Sequence, residues 1–207
     1  MNQKLRHEYL YRDQNFTHAH NYLIPQLTKI ISGKQKLTIL DIGCGNGSLS
    51  NYLAKKGHQV VGIEESASGI EIASANFSNC TFIQGSIYDF PYARVGKDFD
   101  LVISVEVIEH LLYPRELLRV AKNCLKPEGQ ILITTPDHGY WKNLALALAG
   151  AMDKHFTVLW DGGHIKFFSV NTLSQLLKEE QFTDINFEFA GRFPLLWKSM
   201  LCTASLQ

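Results

Sequence analysis

The sequence has no net charge, since 20 lysines and arginines are matched by 20 aspartates and glutamates over 207 residues. Long nucleic acids are bound mainly through phosphate contacts and need a basic face. No bulk nucleic-acid binding is therefore expected, although a nucleotide-sized ligand or a short RNA held locally stays open. Cysteine is scarce. Cys44, Cys80, Cys124 and Cys202 are scattered with no C-x-x-C pair, which points to reduced, mostly buried thiols in a cytoplasmic protein. Long apolar runs are missing too. The longest, Leu144 to Met152, is about half of what a bilayer span needs. Met1 to Glu8 holds no apolar signal core. No transmembrane segment is expected, which leaves peripheral membrane contact open. There is no internal repeat and no low-complexity tract, and 45% of residues are hydrophobic, so residues 1–207 are expected to form one domain with a sizeable core.

The most informative stretch is Leu40-Asp-Ile-Gly-Cys-Gly-Asn-Gly-Ser-Leu-Ser50. It follows Leu37-Thr-Ile-Leu40, short and β-branched enough for a buried strand, and leads into a helix from Ser48. Gly43, Gly45 and Gly47 fall at the strand-to-helix turn, where glycine permits positive φ and brings bare backbone against a ligand. A pyrophosphate dinucleotide would want G-x-G-x-x-G. Here the third glycine comes one residue early, and Asp41 would repel a pyrophosphate but attract a cation. S-adenosylmethionine fits that combination, with its adenosine, its positive sulfonium and amine, and no phosphate. The next strand, His58 to Glu64, ends on an acid 23 positions after Asp41 (64 − 41), suited to accept both ribose hydroxyls. Glu65 competes for that role, and strand phase favours Glu64.

These residues resemble motif I and the acidic motif of the class I S-adenosylmethionine-dependent methyltransferases. The resemblance runs from about Thr17 to the C-terminus and takes in Phe82 to Pro91, Asp98 to Ser104 and Leu125 to Thr134. Within that superfamily the chain is similar to a bacterial group related to the ubiquinone-biosynthesis O-methyltransferases. The resemblance implies a Rossmann-like seven-stranded, mostly parallel sheet with helices on both faces and an antiparallel last strand. Ser86, Ile87, Ser104 and Val105 would then complete the cofactor site with Asp41, Gly43, Gly45, Gly47 and Glu64. Ser86 departs from the family, many of whose members place an aspartate there to accept the adenine amino group; the Ile87 backbone or Asp89 would stand in. Ser104 and Val105 would act through main chain.

The pattern along the chain is an alternation of helix and strand, which implies a parallel sheet with its ligand beyond the strands' carboxyl ends. Residues up to about Asn15 read as a loose arm. A helix from His18 to Ile31 completes residues 1–35 as arm and cover, with His18 and His20 either covering the cofactor or solvated. Further helices are expected at Ala67–Phe77, Pro114–Leu125 and Val170–Glu180, and strands at Cys80–Gln84, Asp100–Ser104, Asp184–Ala190 and Lys198–Ala204. Residues 138–168 form a long insert, expected to be a lid over the substrate site. Tyr140, Trp141 and Trp160 within it could stack on an acceptor or simply pack the insert. Residues 144–149 are expected to be a buried helix rather than a lipid-contacting surface.

Methyl transfer from a sulfonium requires alignment, exclusion of water and, at a hydroxyl acceptor, removal of a proton. The segment Ser104-Val-Glu-Val-Ile-Glu-His110 leaves strand four, and a helical turn there would gather Glu106, Glu109 and His110 on one side. E-x-x-E-H is similar to the metal motif of the small-RNA 2′-O-methyltransferases, in which a later histidine completes the site, and His164 is the counterpart. Glu106, Glu109, His110 and His164 are thus candidate ligands for a divalent ion such as Mg2+. Glu106, His110 and His164 are the candidate catalytic residues, with either histidine able to serve as a metal-free base. The alternative is structural hydrogen bonding in the turn. The reading as a whole is O-methylation of a small-molecule or lipophilic acceptor, the absence of an N/D-P-P-Y motif counting against amino-group methylation. A non-catalytic S-adenosylmethionine sensor or subunit is the runner-up. The acceptor and the oligomeric state are not specified.

Overall fold

The computed structural model describes residues 9–156 and 158–206. After an N-terminal arm come α1 (His20–Ile31), β1 (Thr38–Ile42), α2 (Ser48–Lys55), β2 (Gln59–Glu64), α3 (Ala67–Asn76), β3 (Thr81–Gln84), the short α4 (Tyr92–Val95) and β4 (Phe99–Val105). A 3-10 turn at Ile108–His110 leads to α5 (Arg115–Cys124) and β5 (Leu125–Pro136). Then follow α6 (Tyr140–Leu148), α7 (Met152–Phe156), α8 (Val170–Glu179), β6 (Phe182–Ala190) and β7 (Ser199–Leu206).

The strands form one seven-stranded sheet in the order β3-β2-β1-β4-β5-β7-β6. β7 runs antiparallel to both neighbours, and the other pairings are parallel. The expected architecture is therefore present. Alternation along each strand divides the core between two faces. Leu40, Ile42, Val102, Ile131 and Ile133 pack with Leu117, Leu118 and Ala121 of α5 and Leu173 and Leu177 of α8. Ile39, Leu101, Ile103 and Leu132 pack with Leu23 and Leu27 of α1 and Leu49 and Leu53 of α2. The winding reverses between β1 and β4, which opens a crevice at their carboxyl ends. Asp41 lies opposite Gly62 of β2 and Ile103 of β4 at that edge.

Two expectations change. Residues 9–15 of the arm are tied down rather than loose, residues 1–8 lying outside the described residues: Ser66 Oγ donates to Tyr9 O at 2.7 Å, Tyr11 N donates to Ser68 Oγ at 3.0 Å, and Asn46 Nδ2 donates to the carbonyls of Asp13 and Asn15, both at 2.8 Å. Residues 144–149 are not a buried helix. In α6 only Lys142 is buried, while Trp141, Leu144 and Leu148 are exposed. The reason lies in the spacing. Leu144 and Leu148, four apart, share one exposed face of the helix, and Leu146 lies on the opposite side, so the leucines form no single stripe against the body. Among the described residues no helix is long and apolar enough to cross a membrane.

Candidate active site

The loop from β1 into α2 meets the crevice. Gly43, Gly45 and Gly47 all have positive φ, at 78°, 57° and 77°. What a side chain would strike differs among them. A Cβ at Gly43 would lie 2.4 Å from Val107 Cγ2, and one at Gly47 would lie 2.7 Å from both Ala73 Cβ and the Phe82 ring. These two glycines are demanded by the protein's own packing. Gly45 alone faces the arm, where a Cβ would lie 2.7 Å from Tyr11 Oη.

Two acids flank the loop. Asp41 is 1% exposed, and Ser50 Oγ donates to its Oδ2 at 2.6 Å. Burial raises its pKa to about 7. Glu64 ends β2, and its carboxylate accepts from Gly45 N at 3.0 Å and Ser66 N at 2.9 Å. Burial pushes its pKa up, and those two backbone donors oppose the shift. Tyr11 packs beside Glu64, so that a Cβ at Gly69 would meet Tyr11 Cδ2 at 3.0 Å and Glu64 Cγ at 3.2 Å. Burial first, and then the nearby Glu64, raise the Tyr11 phenol. Ser86 Oγ donates to Glu65 Oε2 at 3.4 Å and accepts from Tyr88 N, while Ile87 packs on the core. Ser104 is fully buried and its Oγ donates to Ile42 O at 3.2 Å. Any cofactor contact by Ser104 is therefore left to main chain. Val105 packs in the α1–α2 layer.

Beyond β4 the chain does not form the expected helical turn. Glu106 sits at φ 55°, and only Ile108–His110 coil, as a 3-10 turn. This turns the two acids toward different partners. Glu106 is held by Thr134 Oγ1 at 2.9 Å and Ser199 Oγ at 3.3 Å, both donating to it. Burial raises its pKa to about 7 against those hydrogen bonds. Glu109 is fully buried and accepts from Thr135 Oγ1 at 3.0 Å, but its Oε1 has no hydrogen-bond partner. Burial, and then Glu106, drive the Glu109 pKa well upward. Its Oε1 lies 4.0 Å from His164 Nε2.

The insert supplies the rest. Ile165 N and Lys166 N both donate to Glu109 O, at 2.9 and 3.0 Å, which brings His164 over the turn. His110 Nδ1 bonds Gly162 O at 2.9 Å and Gly163 O at 3.2 Å, leaving Nε2 to face the site. The His110 and His164 rings lie 4.8 Å apart, and Trp160 packs edgewise on His110 at 5.9 Å. Burial, and then His110, lower the His164 pKa to about 4, so it is a neutral imidazole near pH 7. One potential ligand atom each from Glu109, His110 and His164 falls within 4.8 Å of the others. Glu106 lies outside that group, turned toward Thr134 and Ser199.

Comparison with known proteins places this geometry. A family model described as a methyltransferase domain matches residues 12–186. The chain belongs to the methyltransferase-domain family. A ubiquinone biosynthesis O-methyltransferase of Cereibacter sphaeroides is 30% identical over 176 residues, covering 82% of this chain and 70% of the relative. The PH0226 protein of Pyrococcus horikoshii shares the fold at a TM-score of 0.71 and 22% identity, over 95% of each chain. A magnesium protoporphyrin IX methyltransferase of Synechocystis, solved with bound S-adenosylhomocysteine, superposes at 0.65 with 17% identity, over 89% of this chain and 81% of that one.

The protein is an S-adenosylmethionine-dependent methyltransferase. Its fold delivers Asp41, Gly45 and Glu64 to one edge and Glu109, His110 and His164 to a second cluster beyond β4. Sequence reasoning missed several residues of this methyltransferase. Tyr11 was hidden in a polar arm, where the alternation Tyr9-Leu-Tyr11 was its only signal. Thr134, Thr135 and Ser199 position the two glutamates from strands distant in sequence, which no local pattern reveals. Tyr140 and Trp141 are exposed, so of the three aromatic residues named in the insert only Trp160 touches the histidines.

Proposed function

We propose that this methyltransferase acts on an oxygen of a small or lipophilic acceptor held between the glycine-loop edge and the insert. The observation that carries the reading is the buried, unpartnered Oε1 of Glu109 beside two imidazoles, a proton-accepting and ligating cluster at the carboxyl edge of β4. Relatives named as ubiquinone biosynthesis O-methyltransferases support oxygen as the target. Exposed Trp141, Leu144, Leu148, Val158 and Leu159 on the insert support a lipophilic acceptor and peripheral contact with a membrane surface.

S-adenosylmethionine supplies an electrophilic methyl group and leaves as a neutral thioether. The chain's own residues then have three tasks. Gly45 gives close backbone approach and Glu64 a carboxylate for the ribose. Asp41 provides negative charge on the amine side. His164, neutral near pH 7, accepts the acceptor's hydroxyl proton as its oxygen bonds the methyl carbon and the carbon–sulfur bond breaks. His110 is held by its Nδ1–H to Gly162 and Gly163, the orientation that leaves Nε2 as a ligand or base.

Alternatively, Glu109, His110 and His164 fit a divalent cation, with His164 then a ligand instead of the base. A buried carboxylate oxygen with no donor among the described residues, next to a second acid, is relieved by positive charge, and two imidazoles complete a mixed donor set. Such an ion would lower the pKa of the acceptor hydroxyl. Glu106 stays outside this donor set and positions the Thr134–Ser199 edge.

The test is a panel of phenolic and aliphatic hydroxyl acceptors read by S-adenosylhomocysteine formation, with and without chelator. Turnover with a hydroxyl acceptor and none with the matching amines supports the reading; turnover with amines alone overturns it. For the ion, Mn2+ binding followed by paramagnetic resonance should be lost in Glu109→Gln. Binding of equal strength in that variant removes Glu109 from the site.

A further inference from the structure

A second polar group lies outside the Glu109 cluster. His138 follows β5 at the carboxyl edge and is 8% exposed, yet among the described residues neither of its ring nitrogens has a hydrogen-bond partner. His155 of α7 stands 5.4 Å away, ring to ring, and its Nε2 is also buried and unpartnered. Lys142 of α6 is 5% exposed, and its ammonium donates one hydrogen bond, to Asp137 O at 2.7 Å. An ammonium carries three donors. Phe156 and Phe167 wall the group, with Phe167 edgewise on His138 at 5.0 Å and Phe156 stacked on it at 6.1 Å.

Leaving this many buried polar atoms unpaired is costly, and native proteins rarely do so without a ligand or solvent to meet them. The sign of the surroundings selects the ligand. Lys142 acts on both imidazoles, and Arg192, exposed in the loop before β7, acts on Lys142 and His155. The acids facing Lys142 are Asp137 and Glu106, and burial raises the pKa of each, which weakens their opposing charge. One buried ammonium and one exposed guanidinium, with two imidazoles that burial holds toward the neutral form able to donate an N–H, thus meet two acids between aromatic walls.

We propose that His138, Lys142 and His155, with Arg192 at the margin, bind an acidic oxygen group, a carboxylate or phosphate, of the methyl acceptor. The assignment rests on the acceptor-site reading above and names the substrate class for it: a hydroxylated molecule carrying an anionic group beside an apolar or aromatic body. The two sites adjoin. Phe167, three residues after His164, packs edgewise on His138 at 5.0 Å, and Thr135, three residues before His138, holds Glu109 at 3.0 Å, so one small molecule can present its hydroxyl to the first cluster and its acid to the second.

The experiment uses the full chain, labelled with 15N, at pH 7.5, with imidazole resonances assigned through His138→Gln and His155→Gln. Inorganic phosphate and acetate are titrated separately, and the one that binds tighter distinguishes a phosphate-bearing from a carboxylate-bearing acceptor. Saturable displacement of both imidazoles below about 10 mM, weakened about tenfold or more in Lys142→Met, is the expected result. S-adenosylhomocysteine binding, measured on the same samples, reports that each variant is folded. Should Lys142→Met fail that check, Arg192→Gln, altered on an exposed side chain, is expected to weaken the tighter anion about threefold. No saturation by either anion, or variants that bind as wild type does, overturns the proposal. That failure is distinct from failure of the O-methylation reading, which is decided by the acceptor panel and leaves anion binding untouched.

Discussion

Glu64 and Asp41 show how differently two buried carboxylates can serve one edge. Glu64 has two backbone donors at about 3 Å, which keep an acid oriented and ready to accept ligand hydroxyls. Glu64→Ala removes charge-assisted hydrogen bonds worth about 1.5–3 kcal/mol each. Calorimetry should show S-adenosylhomocysteine binding weakened at least tenfold, and an unchanged affinity would reject the ribose assignment. Asp41 has only Ser50 as a partner and a pKa raised to about 7, whereas an unfolded aspartate titrates near 4. Between those values the folded chain keeps a proton that the unfolded chain has lost, so this residue erodes stability as pH rises from about 4 to about 7. Asp41→Asn should therefore gain on wild type in ligand-free thermal melts at pH 8 relative to pH 4. Parallel curves for the two proteins would show that Asp41 does not titrate in this range.

The N-terminal arm and the insert meet at the carboxyl edge of the sheet, where Tyr9 of the arm and Trp160 of the insert pack edgewise at 6.5 Å. The arm is fastened through Asn46, a residue inside the glycine loop itself, which holds the carbonyls of Asp13 and Asn15. Tyr11 then lies against Gly45 of the loop, where a Cβ would come 2.7 Å from its Oη. A ligand approaching Gly45 must pass this strap. Asn46→Ala should speed both association and dissociation of S-adenosylhomocysteine several-fold in stopped-flow fluorescence, with a smaller effect on the equilibrium constant. Rates identical to wild type would mean that the arm does not gate the edge. The insert is fastened at one point of comparable importance, where Glu109 O receives both Ile165 N and Lys166 N. That pair of bonds makes His164 a neighbour of His110 despite the 54 positions between them (164 − 110).

The molecule presents a neutral surface overall, and the exposed apolar residues of α6 and the segment after it stand on the same insert as the site histidines. Attachment to a membrane by such a face should depend on apolar area rather than on charge. Neutral phosphatidylcholine vesicles should therefore retain the wild-type protein at both low and high salt, and a Leu144→Asp, Leu148→Asp double variant should lose retention while keeping S-adenosylhomocysteine affinity. Retention that persists in that variant would argue that these leucines face only a soluble acceptor. Across the molecule, the two clusters of ionisable groups lie at the carboxyl edge of the sheet, where a doubly wound topology exposes strand ends from both halves.

Local patterning was enough to place most strands and helices, because buried parallel strands and amphipathic helices carry their own periodicity, and the run from Leu37 to Ser50 names its ligand class through glycine spacing and one acid. The positions of Asp41 and Glu64 at strand ends were readable for the same reason, whereas His164 was singled out only through the resemblance of E-x-x-E-H to a known metal motif. Other features had no local signature. Glu106 parted from Glu109 because a positive φ at residue 106 and hydrogen bonds from Thr134 and Ser199 outweighed the helical spacing of E-x-x-E. The packing roles of Gly43 and Gly47, the seat of Tyr11 and the convergence of His138, Lys142 and His155 depend on contacts between segments far apart in the chain. Periodicity records which face of an element is apolar; it holds no information on which distant side chain will meet that face, and that pairing is what makes a site.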